Sequence, residues 1–194
     1  MTQTTQNDQP LNDESELAAR ALADPAAFTK LFDRYFPLVH KYALYRVGDL
    51  TSADDLTSEV FEALLTALPR YKPDKAPFGA WIFGIARHAV NDHHRNRKNK
   101  REVHSEVMEQ LIANDPQPEE ASLNLEAEQR LLTALKQLSG REKDIISLKF
   151  AANLTNRQIA KLTTLGESHV GVILYRSMQR MRQLLNEMEE YDER

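Results

Sequence analysis

The chain of 194 residues contains no cysteine, which excludes disulfides and thiolate metal sites. Glycine (6) and proline (8) are scarce, and hydrophobic residues make up 41%. That balance points to a helical protein with exposed connecting segments. No apolar run approaches the roughly 18 residues of a membrane helix, so no membrane insertion is expected. The N-terminal stretch MTQTTQNDQPLNDESE lacks the charged-then-apolar pattern of a signal peptide, and the chain is expected to be soluble and cytoplasmic. Neither a Gly-rich phosphate loop nor a nucleophile–base constellation occurs, which argues against an enzyme and against a cofactor.

What is present is charge, strongly segregated. The net charge of −4 hides +5 over residues 87–101, −7 over 102–130 and +6 over 131–185, with acidic ends of −4 each over 1–27 and 186–194. Phosphate contacts depend on local patches rather than on net charge, so two basic blocks around an acidic connector are compatible with nucleic-acid binding. The first block is continuous with an apolar helix. Phe78, Trp81, Ile82, Ile85, Ala86, Ala89 and Val90 recur at helical spacing. Six Lys/Arg against one acid, Asp92, follow from Arg87 to Arg101. A helix clamped in a core at one end and cationic at the other is suited to a polyanion. A solvated basic helix end would look the same in isolation.

The connector holds eight acids and no Lys or Arg from Glu102 to Gln129, with Asn114-Asp115-Pro116-Gln117-Pro118 as a breaker in its middle. Its charge could also compete with DNA for the blocks it separates. The spacing therefore predicts an acidic N-terminal segment (1–25), a helical domain (26–101), an acidic linker (102–127), a second helical domain (128–186) and an acidic tail (187–194). In the first domain, Asp24-Pro25 opens a helix that Pro37 is expected to kink or break and Gly48 to close. Ser52-x-x-Asp55 resembles a capping box for the next helix, which should stop before Pro69. A loop from Arg70 to Pro77 follows. No period-two strand is visible, so the fold class is all-α, two small helical domains.

The second domain has helix-turn-helix spacing. Capping boxes stand at Ser139–Glu142 and Thr155–Gln158, and a short turn from Thr163 to Glu167 leads to a longer helix. That helix is expected to bury Val170, Ile173, Leu174, Ser177, Met178, Met181 and Leu185. Its basic end suits a recognition helix in a major groove, although helical hairpins packed only on one another share much of the pattern.

These runs resemble a family. AFTKLFDRYFPLVHKYALYRVGD, ADDLTSEVFEALLTALPRY and PFGAWIFGIARHAVNDHHRNRK are similar to region 2 of the bacterial sigma-70 family. LLTALKQLSGREKDIISLKFAANLTNRQIAKL with YRSMQRMRQLL is similar to region 4. Regions 1 and 3 have no counterpart, a plan similar to the extracytoplasmic-function group. The resemblance implies a transcription initiation factor, with core RNA polymerase and promoter DNA as partners and an anti-sigma factor as a further candidate partner. It implies that the helix bearing Asp54, Asp55, Leu56, Thr57, Glu59, Val60 and Phe61 docks on the polymerase. Tyr71 and Lys72 in the loop, with Arg87, His88, Asn91, Arg95, Arg97 and Lys98, would serve the minus-10 element and strand opening. Arg157, Gln158, Ser168, His169, Val172, Tyr175, Arg176 and Arg180 would face the minus-35 element. Trp81 is assigned to the core.

The chain departs from the family pattern in the second domain. Gly171, Val172 and Ile173 stand where polar or basic residues are usual, and Thr164 stands where the turn usually has glycine. Val172 and Gly171 cannot make bidentate hydrogen bonds to bases. Either this helix reads DNA through thymine methyls, phosphates and shape, which is favoured, or it has yielded some DNA contact to a protein partner. Two other functions stay open on the residues: a stand-alone helix-turn-helix regulator, and a sigma mimic that sequesters an anti-sigma protein. His88, His93 and His94 make a poor ligand set, because adjacent helical histidines diverge by about 100°; no metal is expected.

Overall fold

The computed structural model describes residues 9–103 and 119–192, with side chains over 14–97 and 126–188. Among these residues there are eight α-helices and no strand: α1 (Gln9–Arg20), α2 (Pro25–Val47), α3 (Leu50–Ala67), α4 (Phe78–Val103), α5 (Glu119–Lys136), α6 (Gly140–Phe150), α7 (Asn156–Thr163) and α8 (Glu167–Asp192). A single 3-10 turn, Leu68–Arg70, ends α3. None of the described helices is long and apolar enough to cross a membrane. The proline-centred breaker at 114–118 and the side chains of most connector acids lie outside the described residues. Of the segment read as linker, Glu119 onward already belongs to α5, and α8 continues into the segment read as tail. The segment read as an acidic N-terminal stretch contains α1, which packs on α2 and α4 and buries Ala18.

Local chemistry explains most helix ends. The Asp24 carboxylate accepts from the Ala26 N–H at 2.9 Å and Pro25 starts α2. Gly48 closes it at φ 80°, in the left-handed region open to glycine, and donates its N–H to the Leu44 carbonyl. Two expectations change. Pro37 does not break α2, which runs on as one helix. Asp33, whose carbonyl loses its donor to the ring, is exposed as is Pro37 itself, so water can take the freed acceptor. The cap of α3 is Asp49, not Ser52: the Asp49 carboxylate accepts from the Ser52 N–H at 2.8 Å, so the helix starts almost a turn earlier. Both capping boxes of the second unit form, at Ser139–Glu142 and Thr155–Gln158.

In the first unit α2, α3 and α4 pack around Leu31, Tyr35, Val39, Tyr42, Leu56, Val60, Leu64, Phe78, Ile82 and Val90. The apolar stripe read on α4 is inward, with Trp81, Ile85 and Ala89 half-buried at its edge. Phe83, off that stripe, is fully buried against Tyr42 with ring centroids 5.6 Å apart. In the second unit α5, α6 and α7 pack on α8 around Leu135, Ile145, Leu148, Ile159, Val170, Leu174 and Met181. Met178, expected inside, is outside. The buried line of α8 steps 170, 174, 177, 181, and position 178 lies about 70°, a fifth of a turn, away from it.

The two units are in contact along a seam. α6 packs on α2 and α7 on α4, and the buried residues of both form one contiguous cluster. At Gly84 a methyl would stand 3.5 Å from a Leu162 methyl across the seam.

Thr164 caps α7 at φ 57°, where a β-branched side chain is strained. Replacing it with glycine is expected to raise stability by about 1 kcal/mol after the unfolded-state entropy of glycine is deducted. Denaturant titration checks this, and no gain would mean that the turn relaxes around threonine.

Candidate polymerase and nucleic-acid interfaces

The structure divides the α3 set. Leu56, Thr57, Val60 and Phe61 are buried in the chain's own core, and the Thr57 hydroxyl donates to the Ala53 carbonyl at 2.7 Å. In this structure these four stand behind the exposed face and support it. Asp54, Asp55 and Glu59 are exposed, and Asp54 lies 2.9 Å from the His40 ring nitrogen. The outward face continues through Glu62 and Leu65, and Phe36 from α2 stands exposed beside it, its ring 6.0 Å from Phe61. The sequence reading missed Glu62, Leu65 and Phe36. The first lies three residues beyond Glu59 on the same face, a signal that was available; Phe36 comes from another helix.

The loop and α4 set is also divided. Tyr71 is half-buried, its ring 4.8 Å from Trp81 and 5.4 Å from Phe78, and its hydroxyl donates to the Ala76 carbonyl at 3.1 Å. Burial pushes its phenol pKa up. Tyr71 is thus a prop of the loop, while Lys72 is exposed. His88, Arg95 and Arg97 are exposed, with Arg95 paired to Asp92 at 3.0 Å and the His88 ring 3.6 Å from Asp92. The side chain of Lys98 lies outside the described residues.

Arg87 and Asn91 have partners inside the protein. Asp144 of α6, its side chain 9% exposed, accepts from Arg87 Nε at 2.7 Å and from the Tyr42 hydroxyl at 3.0 Å, and lies 3.7 Å from an Arg46 nitrogen. Arg87 also donates to the Leu162 carbonyl at 3.2 Å. Arg46, 5% exposed, donates to the Gly140 carbonyl at 2.9 Å and to the Asn91 side-chain oxygen at 3.0 Å. One buried acid therefore joins α2 and α4 of the first unit to α6 of the second. The seam is otherwise cationic. Burial and the neighbouring Arg46, His93 and Lys143 hold the His94 pKa below its ordinary value, and burial with Arg46 and Lys136 lowers that of Lys143. Burial, with the Asp144 charge beside it, pushes the Tyr42 phenol strongly upward. The sequence reading gave no seam role to Tyr42, Arg46 or Asp144; Tyr42 lies 102 residues from Asp144, and Arg46 lies 94 from its Gly140 acceptor.

In the second unit, Arg157 is exposed, but the Gln158 side-chain oxygen is spent in the cap, accepting from the Thr155 N–H at 2.8 Å and hydroxyl at 2.9 Å. Ser168, His169, Val172, Tyr175, Arg176 and Arg180 are all exposed on α8, with Arg180 3.8 Å from Glu142. Gln179 donates to the Tyr175 hydroxyl at 2.7 Å. Gly171 costs the helix about 1 kcal/mol relative to alanine.

An all-α chain with a cation-tipped helix, an acid-and-apolar docking face and an outward helix-turn-helix defines a class of two-part DNA-engaging proteins. Residues 31–100 match sigma-70 region 2 and residues 134–183 match sigma-70 region 4, and the chain belongs to the sigma-70 family. It is 33% identical over 173 residues to the ECF RNA polymerase sigma factor BldN of Streptomyces coelicolor, covering 88% of this chain and 65% of BldN. It is 29% identical over 173 residues to the ECF RNA polymerase sigma factor SigD of Mycobacterium tuberculosis, covering 87% of this chain and 82% of SigD. The fold is similar to CnrH, solved in complex with the cytosolic domain of CnrY, at TM-score 0.65 and 22% identity over 90% of this chain and 97% of that one. It is also similar to the sigma factor RpoE from Bartonella quintana, solved with the anti-sigma factor NepR, at TM-score 0.70 and 20% identity over 82% and 96%.

Proposed function

We propose that the chain is a non-enzymatic transcription initiation factor of the cytoplasm, which binds core RNA polymerase, recognises the minus-10 and minus-35 promoter elements and supports strand opening. The observation that carries this is the coexistence, in family order, of three outward surfaces of matching chemistry. These are Asp55, Glu59 and Glu62 on α3 for the polymerase, His88, Arg95 and Arg97 on α4 for the minus-10 strand, and the outer face of α8 for the minus-35 groove. The functional division into residues 26–101 and 128–186 belongs to the same proposal. So does an anti-sigma partner, because RpoE, with a similar fold, is bound by one. Arg87 can reach DNA only if it leaves Asp144, so promoter engagement through it requires the two units to part along the seam, whereas Asn91 is exposed and bonded to Arg46 within the first unit.

Run-off transcription with purified core polymerase and a genomic promoter library tests the reading. Promoter-specific transcripts are expected with the chain and not without it. Replacing Arg95, Arg97 and Lys98 with alanine should weaken promoter complexes and flatten their salt dependence by roughly one unit of slope per lost phosphate contact. Absence of any specific transcript would sink the sigma reading in favour of an anti-sigma-sequestering mimic.

A further inference from the structure

α8 presents three sectors to solvent opposite its buried line of Val170, Leu174, Ser177 and Met181. By helical rotation, Ser168, Val172, Tyr175 and Gln179 form the outermost sector, directly opposite the core. His169, Arg176 and Arg180 form one flank, and Gly171, Met178 and Arg182 the other. The outermost sector carries no charge, and its apolar groups are far from buried: Val172 is 45% and Tyr175 66% exposed, with Met178 at 45% beside them. A helix inserted in a major groove aims its outermost sector at base edges and its flanks at the two sugar-phosphate walls. Cations on a flank and apolar groups at the tip fit that division. Val172 has no donor or acceptor, so the base feature it can distinguish is the 5-methyl group of thymine.

Gly171 adds a second observation. A methyl placed there would meet nothing nearer than the Asn156 side-chain nitrogen at 3.9 Å, an ordinary contact. The fold of this chain therefore does not require glycine, although glycine weakens the helix. Its position on the flank accounts for it: with no side chain, the helix backbone can come close to the groove wall.

We infer that Val172 is a specificity-determining residue that reads a T·A pair of the minus-35 element through the thymine 5-methyl group, with Gly171 admitting the sugar-phosphate backbone beside it. This rests on the proposal that α8 enters the minus-35 groove.

The test uses holoenzyme, the full chain with core polymerase, on duplexes of a promoter it transcribes. Each minus-35 thymine, on either strand, is replaced in turn by deoxyuridine, which deletes the methyl and keeps the pairing. One position is expected to lose about fourfold in affinity, the worth of one buried methyl. V172A should lose the same factor on the thymine duplex and be indifferent to deoxyuridine at that position alone. G171A should melt at a higher temperature yet bind the promoter more weakly. Indifference of the unaltered protein to every deoxyuridine, a full deoxyuridine penalty in V172A, or undiminished promoter binding by G171A would overturn the inference. Scrambling the whole minus-35 block separates the two levels. If scrambling weakens binding while deoxyuridine does not, the methyl reading alone fails; if scrambling has no effect, the placement of α8 fails with it.

Discussion

Replacing Asp144 with alanine is expected to cost about 3–5 kcal/mol of stability, because removing one member of a buried ion network leaves its partners charged and uncompensated. The partners are specific. Arg46 is 5% exposed and cannot turn to water, while Arg87 Nε and the Tyr42 hydroxyl lose their acceptor. Lys143 adds to the positive side of the seam, its pKa already depressed by burial and by Arg46. Tyr42→Phe, which deletes one hydrogen bond to the same carboxylate, should cost less, about 1.5–3 kcal/mol. Urea denaturation measures both, and a double-mutant cycle between Asp144 and Arg87 should return a clear coupling energy. Small-angle scattering gives a second readout: at native pH, surviving folded Asp144→Ala should be more extended, since the charge that joins α6 to α2 and α4 is gone. A loss below about 1 kcal/mol with unchanged dimensions would show that the seam is not closed by this carboxylate in solution.

The second large effect concerns the α3 face. Reversing Asp55, Glu59 and Glu62 to lysine together is expected to reduce transcription roughly 100-fold or more, since like charge facing a basic partner costs several kcal/mol. Stability should hardly move. All three are exposed on one line of the helix, and such surface changes stay within about 0.5 kcal/mol each. Co-purification with core polymerase separates docking from later steps. Normal docking by the triple variant would remove this face from the polymerase interface. Asp54 is left out of the variant because it is partnered by His40 at 2.9 Å. Leu56, Thr57, Val60 and Phe61 are left out because their replacement would damage the core and report on folding instead.

Much of this was legible in the sequence because much of it is short-range. The caps at Asp24, Ser139 and Thr155 are chosen within three residues, and the inward stripe of α4 follows from a spacing that any helix imposes. The docking set on α3 shows where such reading ends. Periodicity marks Leu56, Val60 and Phe61 as one face but does not say whether that face meets its own domain or a partner. Asp49 displaced Ser52 as a cap because two acceptors one turn apart compete, and Pro37 was absorbed because its unpaired carbonyl neighbour faces water. The recognition helix was the reverse case: its unusual composition was plain in the sequence, while the outward aim of Val172 and the absence of any packing demand for Gly171 were not.

By itself, then, the sequence determined the all-α class, most helix ends, the charge blocks and the sigma-70 resemblance, since each depends on residues within a few turns of one another. Tertiary structure alone decided that Arg87 and Asn91, read as DNA contacts, are held by Asp144 and Arg46. It also decided that Phe83 completes a core against Tyr42. The arginine and asparagine contacts depend on which elements meet across 57 and 45 residues of chain. A buried charge takes whatever partner packing brings to it, because leaving it unpaired costs more than any local preference supplies.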